Sequence, residues 1–519
     1  MKWSRIGFVA MIGSIAVLSL ALTRHRSAEA GPQAAATDVR IRRVETSLRP
    51  VTLGAHEPPL ALDLPKLMQL YRVPAVSIAV IDNYEIAWAK GYGVTEAGGT
   101  ESVTTHTLFQ AGSISKPVSA SGALKLVEQG KLSLDEDVNK KLVSWKVPEN
   151  EFTKDQKVTL RRLMSHSGGL TVHGFPGYAA GEPVPSVVQV LNGEKPANTN
   201  PVRVFFVPGT KSEYSGGGIT IEQLLMQDVT RKAFPALMQE LVLGPVGMNE
   251  STFEQPLPGQ RVGFAASGTY ASGKVVPGKR HVYPEMAAAG LWTTPTDLAK
   301  FAIEIALSRQ GKANHVLSES MAKQMLTPQF DTVGLGFFLN DAKNPVWFGH
   351  GGSDEGFQAQ LVMFLDGGQG VAIMADSDNG IRLGNFLMES VAKEYAWKTV
   401  PFKPSADDLL LVVANAKGAD AAVAKYDELK KSQPGEIHEN TLNGLGYAFL
   451  SADQITDAIV VFRHNVAEYP QSWNPYDSLG EAYMRAGQKE LAIQNYEKSI
   501  ELNPKNQNGI EMLKKLKRP

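Results

Sequence analysis

Beyond Trp397 the chain repeats itself at a fixed interval, and that interval leaves few architectures open. Gly446 and Gly480, Ala458 and Ala492, Phe462 and Tyr496, and Pro470 and Pro504 are each 34 residues apart. Within each copy the aromatic follows the alanine by four and the proline follows it by twelve. Ala422, Tyr426 and Pro434 keep the same internal spacing one unit earlier. A period of this length, in alanine-rich helical patterning with almost no strand signal, describes a helix pair that cannot bury its apolar face alone and must stack on its neighbours. Three copies are expected, the first degenerate. The tail ending MLKKLKRP has the basic outer face of a capping helix.

This region resembles tetratricopeptide repeats. The resemblance implies an all-α solenoid, which either binds a segment of another protein or braces the domain before it.

A chain of 519 residues with 43% hydrophobic and 20% charged residues is globular and too long for one core. Two β-rich runs, VSIAVIDNYEIAWAKGYG over 76–93, flank Asp82-Asn83 and predict a hairpin. Far downstream VWFGHGG, FQAQLVMFLD and GVAIMAD read as further strands, followed by a helix in NFLMESVAKEYAW. Strands at both ends of a 350-residue stretch predict one antiparallel sheet assembled from both ends, flanked by helices, with a helical subdomain between. The fold class expected is therefore α+β followed by all-α repeats. Its parts are a signal peptide or N-terminal anchor over 1–30, an unpatterned linker over 31–57, and a catalytic domain over 58–400. A linker with the degenerate repeat over 401–434 and the repeats over 435–519 complete it.

The first thirty residues carry Lys2 and Arg5, an uncharged run over 6–22, and Ala28-Glu29-Ala30. That order reads as an export signal, or as a membrane anchor, since the run approaches the roughly 20 residues that span a bilayer. Export to a periplasm or cell envelope is the expectation. The chain has no cysteine, so it carries neither a disulfide framework nor a lipid-attachment thiol. Without residues 1–30 the formal charge is −4, which argues against a nucleic-acid partner.

Ser-x-x-Lys occurs three times, at Ser113–Lys116, Ser320–Lys323 and Ser390–Lys393. The last two lie in amphipathic helix patterning and read as solvated pairs. Ser113 follows Ala111-Gly112, and Ala120, Leu124 and Val127 then mark one helical face. Pro117 is tolerated only in a first turn, so the helix must start close to Ser113, at its positive end, with Lys116 three residues on and on the same face. A serine and a lysine so placed form an activated nucleophile if burial and neighbours hold the amine partly neutral. An N-cap serine beside a surface lysine is the structural alternative.

Read in order, TLFQAGSISK, LMSHSGGL, GTKSEYSGGGIT, AAAGLWTTPTDLAKF and WFGHGGSDEGF resemble the serine β-lactamase-related hydrolases of the class C type, over about residues 60–400. That group includes penicillin-binding DD-peptidases, D-aminopeptidases and carboxylesterases. The resemblance implies that Ser113 is acylated and that Lys116 with Tyr214 transfers its proton. The strand His350-Gly351-Gly352 lines the opposite wall, its glycines letting substrate lie close. The amides of Ser113 and Ser353 form the oxyanion hole. His166 lies in a stretch the family uses structurally, and loop 171–210 borders the pocket. No cofactor and no metal are implied.

Three positions depart from the family. Gly216 stands for an asparagine, Gly351 for a threonine and His350 for a lysine whose charge is permanent, whereas histidine titrates near neutrality. All three losses fall on amide and carboxylate recognition. The expected activity is an acyl-enzyme hydrolase for esters or small amides and peptides, with weak β-lactam turnover at most. The competing reading is a catalytically silent domain carrying a scaffold of protein-binding repeats.

Overall fold

The computed structural model of the protein describes residues 32–52 and 58–518; the expected signal or anchor lies outside them. Among the described residues no helix is long and apolar enough to cross a membrane.

Strands β1 (Ala75–Asp82) and β2 (Glu85–Gly93) form the predicted hairpin, with β3 (Phe109–Gln110) close behind. The turn is carried by Asn83 and Tyr84, one residue later than expected. Both have positive φ, 54° and 64°, the backbone whose twist matches that of the flanking strands. Then follow β4 (Trp292–Thr293), β5 (Phe338–Leu339), β6 (Trp347–Asp354), β7 (Phe357–Phe364) and β8 (Gly370–Ala375). Six of them make one sheet in the order β2-β1-β8-β7-β6-β5, every pair antiparallel, so β1 from one end of the domain lies beside β8 from the other. β3 and β4 pair separately.

β1 is buried along nearly its whole length because the sheet is covered on both faces. One face packs on a core that includes Ile114, then Val118 and Leu124 of the Ser115–Glu128 helix, and Leu298, Phe301 and Ile305 of the Pro295–Arg309 helix. The other face, through Val76, Ile78 and Val80, meets the helices Leu64–Tyr71, Gly380–Glu394 and Ala406–Lys417. β6 ends this sheet opposite β7 beyond the two residues covered by β5, leaving an open edge at 350–354.

The linker expected over 31–57 is in part a helix, Pro32–Thr46. Its sequence lacks a strong apolar stripe, and what holds it is tertiary. Val44 and Leu48 enter the second core, Arg43 pairs with Glu394 at 2.7 Å and Arg49 pairs with Glu389. Ser390, expected to be solvated, is instead buried and donates to the Val44 carbonyl at 2.8 Å. Ser320 is exposed, and Lys323 is drawn to Glu319.

Beyond residue 400 the chain forms helix pairs 406–417/419–432, 439–451/455–468 and 473–485/489–502, then a last helix, Gln507–Leu516. The repeated glycine is explained by its partner: a Cβ at Gly446 would lie 2.4 Å from the Phe462 ring, and one at Gly480 3.2 Å from Tyr496. The first pair is joined to the sheet domain. Tyr71 donates to the Asp408 carbonyl at 2.8 Å, the Asp408 carboxylate accepts from Arg382 at 3.0 Å, and Asn415 donates to the Leu70 carbonyl at 2.7 Å. The second core runs without a break from β1 to Tyr496, so the repeats are also a brace.

Candidate active site

The Gly112–Ile114 turn is a single 3-10 turn that leads directly into the Ser115–Glu128 helix, with Pro117 in its first turn. Proline there forfeits no intrahelical hydrogen bond. Lys116 is 2% exposed; its Nζ lies 2.9 Å from Ser113 Oγ and donates to the Ala288 carbonyl at 2.7 Å. Ser115 ties the same turn to the opposite segment, donating to the Gly112 carbonyl at 2.6 Å and accepting from the Leu291 amide at 3.0 Å. Of the three Ser-x-x-Lys pairs, this one is sealed from water at the amine and open at the hydroxyl.

β6 forms one wall. Gly352 faces inward and a Cβ on it would fall 1.9 Å from the Ala111 carbonyl oxygen; one on Gly112, whose φ is +50°, would fall 2.5 Å from the Ser353 nitrogen. The glycines expected to admit substrate therefore divide their work. Gly352 lets the strand close on the Gly112–Ile114 turn, and Gly351 faces outward with only the Ala359 carbonyl, at 3.9 Å, near its missing side chain. That approach sets the Ser353 amide against the turn that carries Ser113.

His350 departs from its expectation. Burial and then the nearby Lys116 charge push its pKa down to about 3, so it is a neutral imidazole at any ordinary pH. Its Nδ1 bonds the Gly351 carbonyl at 2.5 Å, which makes Nδ1 the protonated nitrogen and leaves Nε2 a buried acceptor without a protein partner. Phe338 and Tyr214 flank the ring, with centroids 5.0 and 6.2 Å away.

The other wall is Tyr214, just before the Gly216–Thr230 helix that Ser215 caps. Lys116 Nζ lies 4.9 Å from the centre of the Tyr214 ring, over its face. Among the described residues no hydrogen bond joins the Tyr214 hydroxyl to Lys116 or Ser113, so the expected proton-transfer pair meets through the ring, a cation–π contact. His166 holds this wall. Its ring is 4.3 Å from that of Tyr214, and its Nδ1 accepts from the Ser215 amide at 3.3 Å. Burial, followed by the charge on Lys116, keeps it neutral as an acceptor must be.

The sequence reading missed the residues that fill the asparagine's place. A Cβ at Gly216 would lie 2.9 Å from the Phe175 ring and 3.1 Å from the His173 carbonyl, which accepts from the Gly216 amide at 3.0 Å. The His173 ring also stands 4.8 Å from that of Tyr214. The 171–175 backbone thus takes the amides at the helix start, and no spacing in the sequence signals it. Gln223 was missed too. It donates to the Pro284 carbonyl at 3.0 Å and accepts from the Ala287 amide at 2.9 Å, clamping the turn whose Ala288 carbonyl receives Lys116. Beside it the buried Glu222 accepts from Ser119 at 2.7 Å, and burial raises its pKa to about 8.

The β-lactamase family model matches residues 63–393, and a tetratricopeptide-repeat model matches 473–506. Protein flp of Staphylococcus aureus (strain N315) is 21% identical over 318 residues, covering 60% of this chain and 61% of its own length. The chain thus spans about three fifths of that relative. Unguisins hydrolase ungD of Aspergillus violaceofuscus is 28% identical over 200 residues, 36% of this chain and 32% of that one. Among solved structures, the octameric penicillin-binding protein homologue from Pyrococcus abyssi superposes with a TM-score of 0.53 at 23% identity, covering 65% of this chain and 78% of that one. D-alanine carboxypeptidase AmpC from Burkholderia cenocepacia gives 0.50 at 20%, covering 65% and 97%. At such identities these structures speak for the fold. The family match over most of the sheet domain, with the buried Ser113–Lys116 pair at its centre, makes this chain a member of the β-lactamase family that also carries tetratricopeptide repeats.

Proposed function

We propose that the protein is an exported serine hydrolase that cleaves esters or small amides through an acyl-enzyme, with esters preferred over β-lactams. The observation that carries this reading is the buried Lys116 amine 2.9 Å from the Ser113 hydroxyl, the spacing a general base needs. Ser113 Oγ bonds to the acyl carbon and its proton passes to Lys116 Nζ, which must have shed its own proton to act as the base. The charge on the carbonyl oxygen falls to the Ser113 and Ser353 amides, two fixed donors. Collapse breaks the bond to the leaving group, which takes the proton from Nζ, and water then attacks the acyl-serine and releases the acid. Tyr214 holds the amine against its ring, and Gln223, through Ala288, aims it.

The preference for esters rests on the filled space at Gly216 and the uncharged His350. Neither offers a substrate amide or carboxylate the partner that the family's asparagine and lysine would. Export rests on Lys2 and Arg5 before the apolar run 6–22. The repeats support a protein partner in addition, and the intact Ser113–Lys116 geometry speaks against a silent domain.

The test is hydrolysis of a short-chain chromogenic acyl ester by the full chain beside Ser113→Ala. A fall on the order of 10³-fold or more is expected in the variant. Equal rates in the two folded proteins would remove Ser113 as nucleophile.

A further inference from the structure

A cavity of about 440 Å³ opens between the 179–184 loop, residues 255–257 and the 278–282 segment, with Trp292 of β4 in its wall. None of Ser113, Lys116, Tyr214 or His350 lines it. Ala180, Val184, Leu257, Val262 and Val282 make it chiefly apolar, yet the Arg280 cation also lines it. The Arg280 guanidinium lies over the Trp292 ring, 5.5 Å from its centre, and its Nε and Nη1, shut off from solvent, have no partner among the described residues. Trp292 is 1% exposed and its indole Nε1 is equally without a partner among the described residues.

The nearby acids hydrogen-bond other partners, and Glu96 acts on Arg280 through its charge alone. Glu96 pairs with Lys279 at 2.5 Å and accepts from Ser267 at 2.8 Å, while Glu182 on the cavity wall accepts from the Ala179 amide at 2.9 Å. The segment is also held in place. Gln110 donates to the His281 carbonyl at 2.8 Å, and Tyr178 and Val282 exchange backbone hydrogen bonds at 2.9 Å. Two nitrogens of this partly buried guanidinium are left without a hydrogen-bond partner, which is costly.

We propose that this cavity binds a monocarboxylate with a short aliphatic chain. The carboxylate accepts from Arg280 and from the Trp292 indole N–H, charge-assisted bonds to donors that no protein group engages. The chain fills the apolar walls, the division of labour usual in ligand pockets. This site does not rest on the hydrolase reading, because none of its residues is asked to do chemistry.

The probe is octanoate, titrated calorimetrically into the full-length protein, with octanol as the uncharged control. Octanoate is expected to bind wild type and Ser113→Ala alike, at least tenfold more weakly to Arg280→Gln, and octanol at least tenfold more weakly than octanoate. Val184→Trp, a change on the exposed loop that fills the cavity and leaves Arg280 in place, is expected to abolish binding. Absence of octanoate binding, equal affinity in Arg280→Gln or in Val184→Trp, or octanol binding as well as octanoate each overturns the proposal. Loss of binding in Ser113→Ala overturns it as well, by placing the ligand at the nucleophile.

Discussion

The two walls of the site have lost the same kind of residue, a polar side chain replaced by glycine, but the space left behind differs. At Gly216 the space is occupied by the Phe175 ring and the His173 carbonyl, and the helix amides are already bound by that loop. At Gly351 it is empty, on the open edge of β6. A glycine substitution read in sequence is thus two different events. On the tyrosine wall the change is locked by a second segment, and on the strand wall it is a bare deletion. On the strand wall, facing Tyr214, stands His350, kept neutral by burial and by the charge on Lys116.

The largest test of that comparison is pH. Unfolded, His350 takes up a proton as the pH falls below about 6.5; folded, it stays neutral until about 3. The unfolded state binds more protons in that window, so this contribution to stability is full above about 6.5 and is lost as the pH falls towards 3. Between pH 7 and pH 4.5 it amounts to roughly 2 to 3 kcal/mol. Denaturant unfolding at both pH values should show a smaller loss in His350→Gln than in wild type by that amount. An identical loss would mean that the imidazole is not sealed between the walls.

Next in size is Gly216→Asn, which must displace Phe175. A destabilisation of roughly 1 to 3 kcal/mol is expected from this overpacking, relieved in part by adding Phe175→Ala. Chemical denaturation of the two single variants and the double variant measures it, and an unstrained Gly216→Asn would show that the 171–175 loop yields.

The smallest effect on stability is expected at Gly351→Thr, within about 0.5 kcal/mol by the same measurement. Its consequence is chemical: the ratio of β-lactam or amide turnover to ester turnover should rise with the restored hydroxyl. A ratio that stays unchanged would place the substrate preference on the tyrosine wall alone.

The Ser113–Lys116 pair was legible in the chain because a proline that fits only a first helical turn marks where the helix starts, and both residues are local to it. The hairpin and the 34-residue repeat were legible for the same reason, being patterns closed within a few tens of residues. The filled space at Gly216 was not, since it depends on residues 40 positions away whose side chains carry no distinguishing spacing. Nor was the Pro32–Thr46 helix, whose stability comes from Glu389, Glu394 and a carbonyl contact with Ser390 across separations of 340 to 351 residues. The solvated reading of Ser390 failed there too.

By itself, then, the sequence determined which elements form and which serine can be a nucleophile, because turn, period and helix start are set by short-range backbone and side-chain sterics. Only the tertiary structure decided the electrostatic state of His350, the use of Gly352 to close the strand on Ser113, and the unpartnered guanidinium nitrogens of Arg280. Each of these is a matter of what surrounds a group in three dimensions, where burial and distance govern charge and contact.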